Sequence, residues 1–253
     1  MDVRLSKMTT FEAKNALEEV KVGIIPIGST EQHGRNMTLE TDLRLAEEVA
    51  KLISEKMRPD LIVLPSIPVG ISYHHMNFPG SMTISPATLQ LVIVDYIKSM
   101  QRHGLNSFIL LNGHGGNQPT LSSVVNVIRY EFKVKISSLL YLNLISNETR
   151  NQVTSERYGH ACEMETSIGL FLDPTTVRES ELEAGELKEY PIQFTEHERG
   201  NRRVEMPYFW EELSSNGAFG DATKASREFG YQMIEEVLNN LEIFIKDFIN
   251  YKV

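Results

Sequence analysis

The chain has 253 residues, of which 41% are hydrophobic, 23% charged and 8% aromatic, with 16 Gly, 10 Pro and one Cys. That mix excludes disordered, collagen-like and disulfide-scaffold classes and is ample for a buried core. Lys and Arg total 25 against 34 Asp and Glu, a net charge of -9, so the average surface repels phosphate backbones and no nucleic-acid partner is expected. No stretch reaches the roughly 18–20 uncharged apolar residues of a membrane span, and the N-terminus has no apolar core of signal-peptide length. The expectation is a cytoplasmic protein with no membrane partner, and the single Cys162, which cannot form an intrachain disulfide, fits a reducing compartment.

Apolar runs and helical patterns alternate along most of the chain. Residues 21–28 (KVGIIPIG) read as a buried strand opening into the polar segment STEQHGRNMTLETD. From Asp42 the run LRLAEEVAKLISEKM carries one apolar helical face and is closed by Pro59 and Asp60. LIVLPSIPVG (61–70) is a second buried strand, followed by the Gly/Pro-punctuated loop SYHHMNFPGSMTISP and an amphipathic helix over 87–103. SFILLNGHGGN gives a third strand and a glycine-rich turn, a helix spans 118–131, and residues 133–145 are a fourth strand candidate. Repeated strand, loop and helix predict an α/β fold, a mainly parallel sheet with helices on both faces, in one domain over 1–253. Residues 179–203 are highly charged and read as a surface excursion, and a last helix over 222–250 closes the fold.

Polar chemistry concentrates in loops that follow these elements. Glu31 and His33, two apart after a buried strand, point to one side in an extended segment. With Asp42 they form an N/O ligand mix suited to Zn, Mn or Fe, although Asp42 is equally explained as the cap of the next helix. Asn112–Asn117 (NGHGGN) places His114 among glycines at a strand-to-helix turn. There the backbone can approach a ligand and the amides of Gly115 and Gly116 can meet an oxyanion; a tight turn with an incidental His is the plainer option. In GHACEMETS, His160, Glu163 and Glu165 precede an apolar run. One acid there complements a helix dipole, whereas two with a His suggest a carboxylate that needs a cation. Tyr73, His74 and His75 have aromatic and Met neighbours and read as a pocket wall, His103 as a helix-end dipole partner, and His197 as exposed.

Five segments in this order, GSTEQHG with TD following, HHMNFPGS, NGHGGN, GHACEMETS and NGAFGDATKAS, resemble the creatininase (creatinine amidohydrolase) family. The resemblance implies a three-layer creatininase-like fold, a metal-dependent amidohydrolase with two divalent ions, Zn and/or Mn or Fe, and a homohexamer. It carries the metal-binding positions onto Glu31, His33, Asp42, His114 and Glu165, with Asp42 bridging, and proton transfer onto His160. Gly116 stands where creatinine-specific members have an acid, and His74 where Glu is common. The implied substrates are therefore those of the wider branch, formamides, cyclic amides, sugar-derived rings and peptides, rather than creatinine.

The implied reaction is C–N hydrolysis of a small molecule by a metal-bridged hydroxide, with His160 and Glu165 at the reacting centre and Gly115, Gly116, His75 and Tyr73 toward substrate. Two alternatives stand beside it: a hydrolase of a sugar-derived ring ketone or lactone, and a non-catalytic metal-binding member. A Cys162 thiol nucleophile is disfavoured by its acidic and apolar neighbours. Arg35, Arg102, Arg202 and Arg203 could form a basic patch for an anionic substrate, or be solvated surface charges.

Overall fold

The computed structural model describes residues 2–189, 192, 204 and 206–252. Its elements run α1 (Thr10–Glu19), β1 (Val22–Ile27), α2 (Thr41–Lys56), β2 (Leu61–Val63), α3 (Pro86–Gln101), β3 (Ser107–Asn112), α4 (Gln118–Phe132), β4 (Lys135–Leu140), α5 (Asn147–Arg150), α6 (Glu163–Leu172) and α7 (Arg227–Asn250). The four strands are parallel in the order β2-β1-β3-β4.

Strand alternation decides the layering. Val22 and Ile24 of β1 and Ile109 and Leu111 of β3 face α2, α6 and α7, where Leu45, Val49, Ile168 and Val237 meet them. Ile25, Ile27, Phe108 and Leu110 point the other way, onto Leu89 and Ile93 of α3 and Leu121 and Val124 of α4. Each fully buried Leu or Ile contributes about 1.5–3 kcal/mol relative to exposure. With both sheet faces committed to such cores, buried polar groups collect beyond the strand ends. No helix among the described residues is long and apolar enough to cross a membrane.

Several boundaries differ from expectation. The strand expected over 61–70 pairs regularly only through Val63, because Pro65 and Pro68 lack the N–H a ladder needs. Beyond it, Leu64 and Ile67 still donate to Ile24 and Pro26 at 2.8 and 2.9 Å. The fourth strand stops at Leu140 and turns into a 3-10 helix, Tyr141–Leu144. The last helix begins at Arg227 rather than 222, where the Ser226 hydroxyl accepts from the Phe229 N–H at 3.1 Å. Helix α1, absent from the sequence reading, starts with a capping box between Thr9 and Glu12. The charged stretch follows the surface as far as it is described, with bridges from Ala184 to Asp221 and Leu187 to Ser214. His197, Arg202 and Arg203 lie outside the described residues.

From β1 the chain crosses to β2 through α2 on one face; from β3 it crosses to β4 through α4 on the other. The two loops diverge between neighbouring strands, which opens a crevice beyond their C-terminal ends. Gly113 lets the first turn of α2 cross this crevice: a Cβ there would stand 2.1 Å from the Asp42 carbonyl oxygen. Gly113→Ala is expected to push α2 off the strand ends at a cost of about 1–3 kcal/mol, read as a lowered urea midpoint with an unchanged slope.

Candidate metal centre

Five segments bring their polar side chains to this crevice. Glu31 and His33 follow β1, Asp42 lies in the first turn of α2, Ser72–His75 follow β2, His114 follows β3, and His160 and Glu165 flank the start of α6. Glu31, His33, Asp42, His75, His114, His160 and Glu165 are all buried. Asn117 ties three of the loops: its side chain donates to Gly28 O at 3.0 Å and accepts from Ile71 N at 2.8 Å. Asn112 holds the histidine turn, accepting from His114 N at 3.1 Å.

The histidines are oriented by backbone carbonyls. His33 Nδ1 donates to Glu31 O at 3.1 Å, which leaves Nε2 facing Asp42 Oδ1 at 3.2 Å. His114 Nε2 donates to Ile71 O at 3.0 Å, which turns Nδ1 toward Glu31 Oε1 at 3.2 Å and Asp42 Oδ2 at 3.1 Å. A carbonyl on one ring nitrogen fixes the tautomer and frees the other's lone pair, as in metal-ligating histidines. Glu31 Oε1, His33 Nε2 and Asp42 Oδ2 are buried without a hydrogen-bond partner. The contacts among these groups are close without being hydrogen bonds, so charge rather than donor geometry holds them.

Among the described residues, four sets of side chains offer donor atoms within 4.8 Å of one another: Glu31, His33 and Asp42; His33, His160 and Glu165; Glu31, His75 and His160; and Glu31, His74 and His114. Asp42 is not the helix cap: α2 starts at Thr41 with Glu40 in the cap position, and the Asp42 carboxylate meets His33 and His114. The two acids of α6 part company. Glu163 accepts from Thr154 N at 3.1 Å and Ser155 N at 3.2 Å, pinning a loop. Glu165 turns into the crevice and accepts from Ala161 N at 2.5 Å. Ala161 has φ 48°, a left-handed conformation unfavourable for a residue with a Cβ, held where it aims its N–H at that carboxylate.

Burial pushes the Glu165 carboxyl up to about 7, with Asp42 and Glu31 adding to the effect and His33 opposing it. Burial opposes a charge on His33, yet Asp42, Glu165 and Glu31 raise it to about 9. In the same way Glu31 and Asp42 override burial and raise His114, and the histidines override it to lower Asp42. His160 goes the other way, pushed to about 3 by burial and by His33. Its Nε2 donates to Gln32 O at 2.7 Å, and Nδ1 faces Glu31 Oε1 at 3.9 Å. Burial and Glu165 raise the Cys162 thiol to about 12, which leaves it no thiolate for nucleophilic attack.

Sequence reasoning missed three residues that shape the site. Ser72 donates to Glu31 Oε2 at 2.5 Å. The Gln32 amide donates to His75 Nδ1 at 2.8 Å and Gly217 O at 3.1 Å, and His75 Nε2 in turn reaches Glu31 Oε1 at 3.3 Å. Gln32 sits between two singled-out ligands, and that adjacency was its only signal. Trp210, which lies outside all five motifs, packs its indole against His75, tilted by 41°, and His160, in a T-shaped contact, at centroid distances of 4.8 and 4.9 Å. A cavity of about 700 Å³ opens over the cluster, lined by Tyr73, Gly115, Gly116, Tyr158, Trp210 and Phe219 among others. No Lys or Arg lines it among the described residues. Arg35 pairs with Glu181 at 3.0 Å on the surface, and Arg102 caps α3.

A family model described as creatinine amidohydrolase matches residues 6–245. The chain belongs to the creatininase family. Among relatives, the mycofactocin precursor peptide peptidase of Mycolicibacterium smegmatis is 28% identical over 95% of this chain and 91% of its own. The 3-dehydro-scyllo-inosose hydrolase of Thermotoga maritima is 26% identical over 97% and 83%. A putative creatinine amidohydrolase from Bacteroides fragilis superposes with TM-score 0.86 at 23% identity, covering 100% of this chain and 98% of that one, which shows the shared fold. Other solved creatininases include a Zn–Zn form of a mutant (TM-score 0.81, 24% identity) and a Mn form (0.78, 23%), each covering 98% of both chains.

In this creatininase-family chain stripped of ions, the raised His33 and His114 contribute stability that is full below the ordinary histidine value of 6.5 and is lost as pH rises through the folded values, about 9 for His33. The melting temperature of chelator-treated protein is therefore expected to fall between pH 7 and pH 9, and a saturating divalent cation to abolish that fall. A flat profile in the chelated protein would count against the buried charge cluster.

Proposed function

We propose that the chain is a metal-dependent hydrolase that cleaves a C–N bond of a cyclic amide, formamide or related small molecule. Its observational basis is the convergence of the partnerless buried atoms Glu31 Oε1, His33 Nε2 and Asp42 Oδ2, a donor set that a divalent cation would satisfy. Glu31, Asp42 and His114 would hold one ion and His33, Asp42 and Glu165 a second, with Asp42 contributing to both. Zn, Mn or Fe suits this N/O set. Such ions supply a lowered pKa for water and polarise a carbonyl oxygen.

The chain's own residues supply the rest. An amide nitrogen leaves poorly until it is protonated, and His160 can take a proton at Nδ1 and return it to that nitrogen. Its ring is fixed for this exchange by the Nε2 bond to Gln32 O and by a T-shaped contact with Trp210. Gly115 offers its backbone to the cavity with nothing within 4 Å of where a Cβ would stand, and with Gly116 it presents amides for an oxyanion. Tyr73 stands at the rim and His75 steadies Glu31 from inside. The reading takes residues 1–253 as one domain and the protein as cytoplasmic and, in line with the family resemblance, hexameric; light scattering reads the assembly.

The Thermotoga maritima relative, named for a ring ketone substrate, favours a second reading in which a sugar-derived ring is opened instead. Appearance of a free amine, as a separate product or as a new amino group on an opened ring, separates the two. Metal analysis of protein purified without chelator is expected to give about two transition ions per chain, falling in Glu31→Gln and His114→Ala. Protein that holds no ion and takes up none from added Zn or Mn would sink the mechanism. His160→Ala is expected to keep its metal while kcat on a substrate found in an amide and lactam screen drops about 10²–10⁴-fold.

A further inference from the structure

We infer that His74 is a further protein ligand of the ion held by Glu31, Asp42 and His114. The inference rests on the metal reading above and adds a side chain that reading leaves in the cavity wall. One ring nitrogen of His74 lies within 4.8 Å of donor atoms of both Glu31 and His114. Donors around a common ion at about 2.0–2.2 Å stand closer than that, so binding of the ion would draw the His74 ring inward. The His74 and His114 rings are stacked, 8° from parallel with centroids 5.6 Å apart.

Two features of the backbone hold His74 in this position. A Cβ on Gly116 would stand 2.4 Å from His114 Nε2, 2.5 Å from Ile71 O and 2.9 Å from His74 Cε1. The bare backbone at Gly116 is thus what admits both rings to one place. The turn that carries His74 is tied to the same carboxylate on both sides: Ser72 donates to Glu31 Oε2 at 2.5 Å, and His75 Nε2 reaches Glu31 Oε1 at 3.3 Å. Trp210 closes the outer side of the His74 ring, with centroids 5.9 Å apart.

With His74, one ion has four protein ligands, Glu31, Asp42, His114 and His74, whereas the other has three, His33, Asp42 and Glu165. Four side chains fill a tetrahedral shell and three leave a position open. The two ions therefore differ in tenacity, the one beside His74 being the firmly held one and the other the exchangeable one.

Cobalt-loaded protein titrated with a chromophoric chelator, with the visible cobalt bands followed in parallel, tests this without any substrate. Wild-type protein is expected to yield its ions in two separate steps. His74→Ala should weaken the tighter step by at least about tenfold and alter its band, and added imidazole should restore both. His74→Phe, which keeps a ring to pack against Trp210 but has no nitrogen, should show the same loss and guards against a folding defect in the alanine variant. Tyr73→Ala, on the same turn, should leave both steps unchanged. Wild-type affinities and bands in folded His74→Ala or His74→Phe would overturn the inference and return His74 to the cavity wall. Wild-type protein that binds no cobalt would overturn the functional reading itself, a separate outcome.

Discussion

Three carboxylates, Glu31, Asp42 and Glu165, are buried together in one crevice, and the rest of the site answers that constraint. Two unit charges 4 Å apart repel by about 4 kcal/mol at an effective dielectric near 20, and each buried ion forfeits several kcal/mol of hydration besides. Without cations the protein has two means of relief. It raises His33 and His114 so that they carry protons, and it raises Glu165 so that it keeps one. Divalent ions replace all of these protons at once, so metal affinity in such a cluster is coupled to proton release and to folding.

Placement of the trio follows from chain topology rather than from local propensity. Strands β1 and β3 are neighbours whose loops leave for opposite faces of the sheet, and that divergence gives the crevice its walls. Asp42 reaches the middle because a helix starts directly over the strand ends, which only a residue without a side chain at position 113 permits. The hydrogen bonds of Asn112 and Asn117 then lock three loops against one another. Movement of any one loop would misplace a ligand, a rigidity that suits groups that must meet an ion within tenths of an ångström.

Much of this was readable in the chain itself, and the reasons are local. Buried runs such as SFILL and the helical face of residues 43–57 declare their elements through periodicity, and the glycines and histidines that follow them mark where a backbone turns beside chemistry. What was not readable depends on long-range contact. The split between Glu163 and Glu165, two residues apart on one helix, is decided by a loop at 154–155 that only the fold brings near. The shortened β2 reflects two prolines whose cost appears once neighbouring strands require N–H donors. Trp210 lies 50 residues beyond His160 in sequence and carries no motif, yet it packs against three of the site's histidines.

That last case separates two kinds of residue in the fold. The side chains facing the charge cluster hang from strand ends and from the first turns of α2 and α6, where burial on both sheet faces leaves little freedom. The wall that a substrate would touch comes largely from elsewhere, from Tyr158 and from the segment carrying Trp210 and Phe219, which packs in a small apolar cluster with Tyr208 and Leu213 and is tied to the site through the backbone bridge between Phe219 and His160. Relatives over nearly the same length are named for substrates as different as a precursor peptide and a ring ketone, as expected if the frame keeps the charge problem solved while the wall decides what reaches it. By the same logic, His74 is the side chain at which the two kinds meet: it lines the cavity, yet it stands within ligand range of Glu31 and His114.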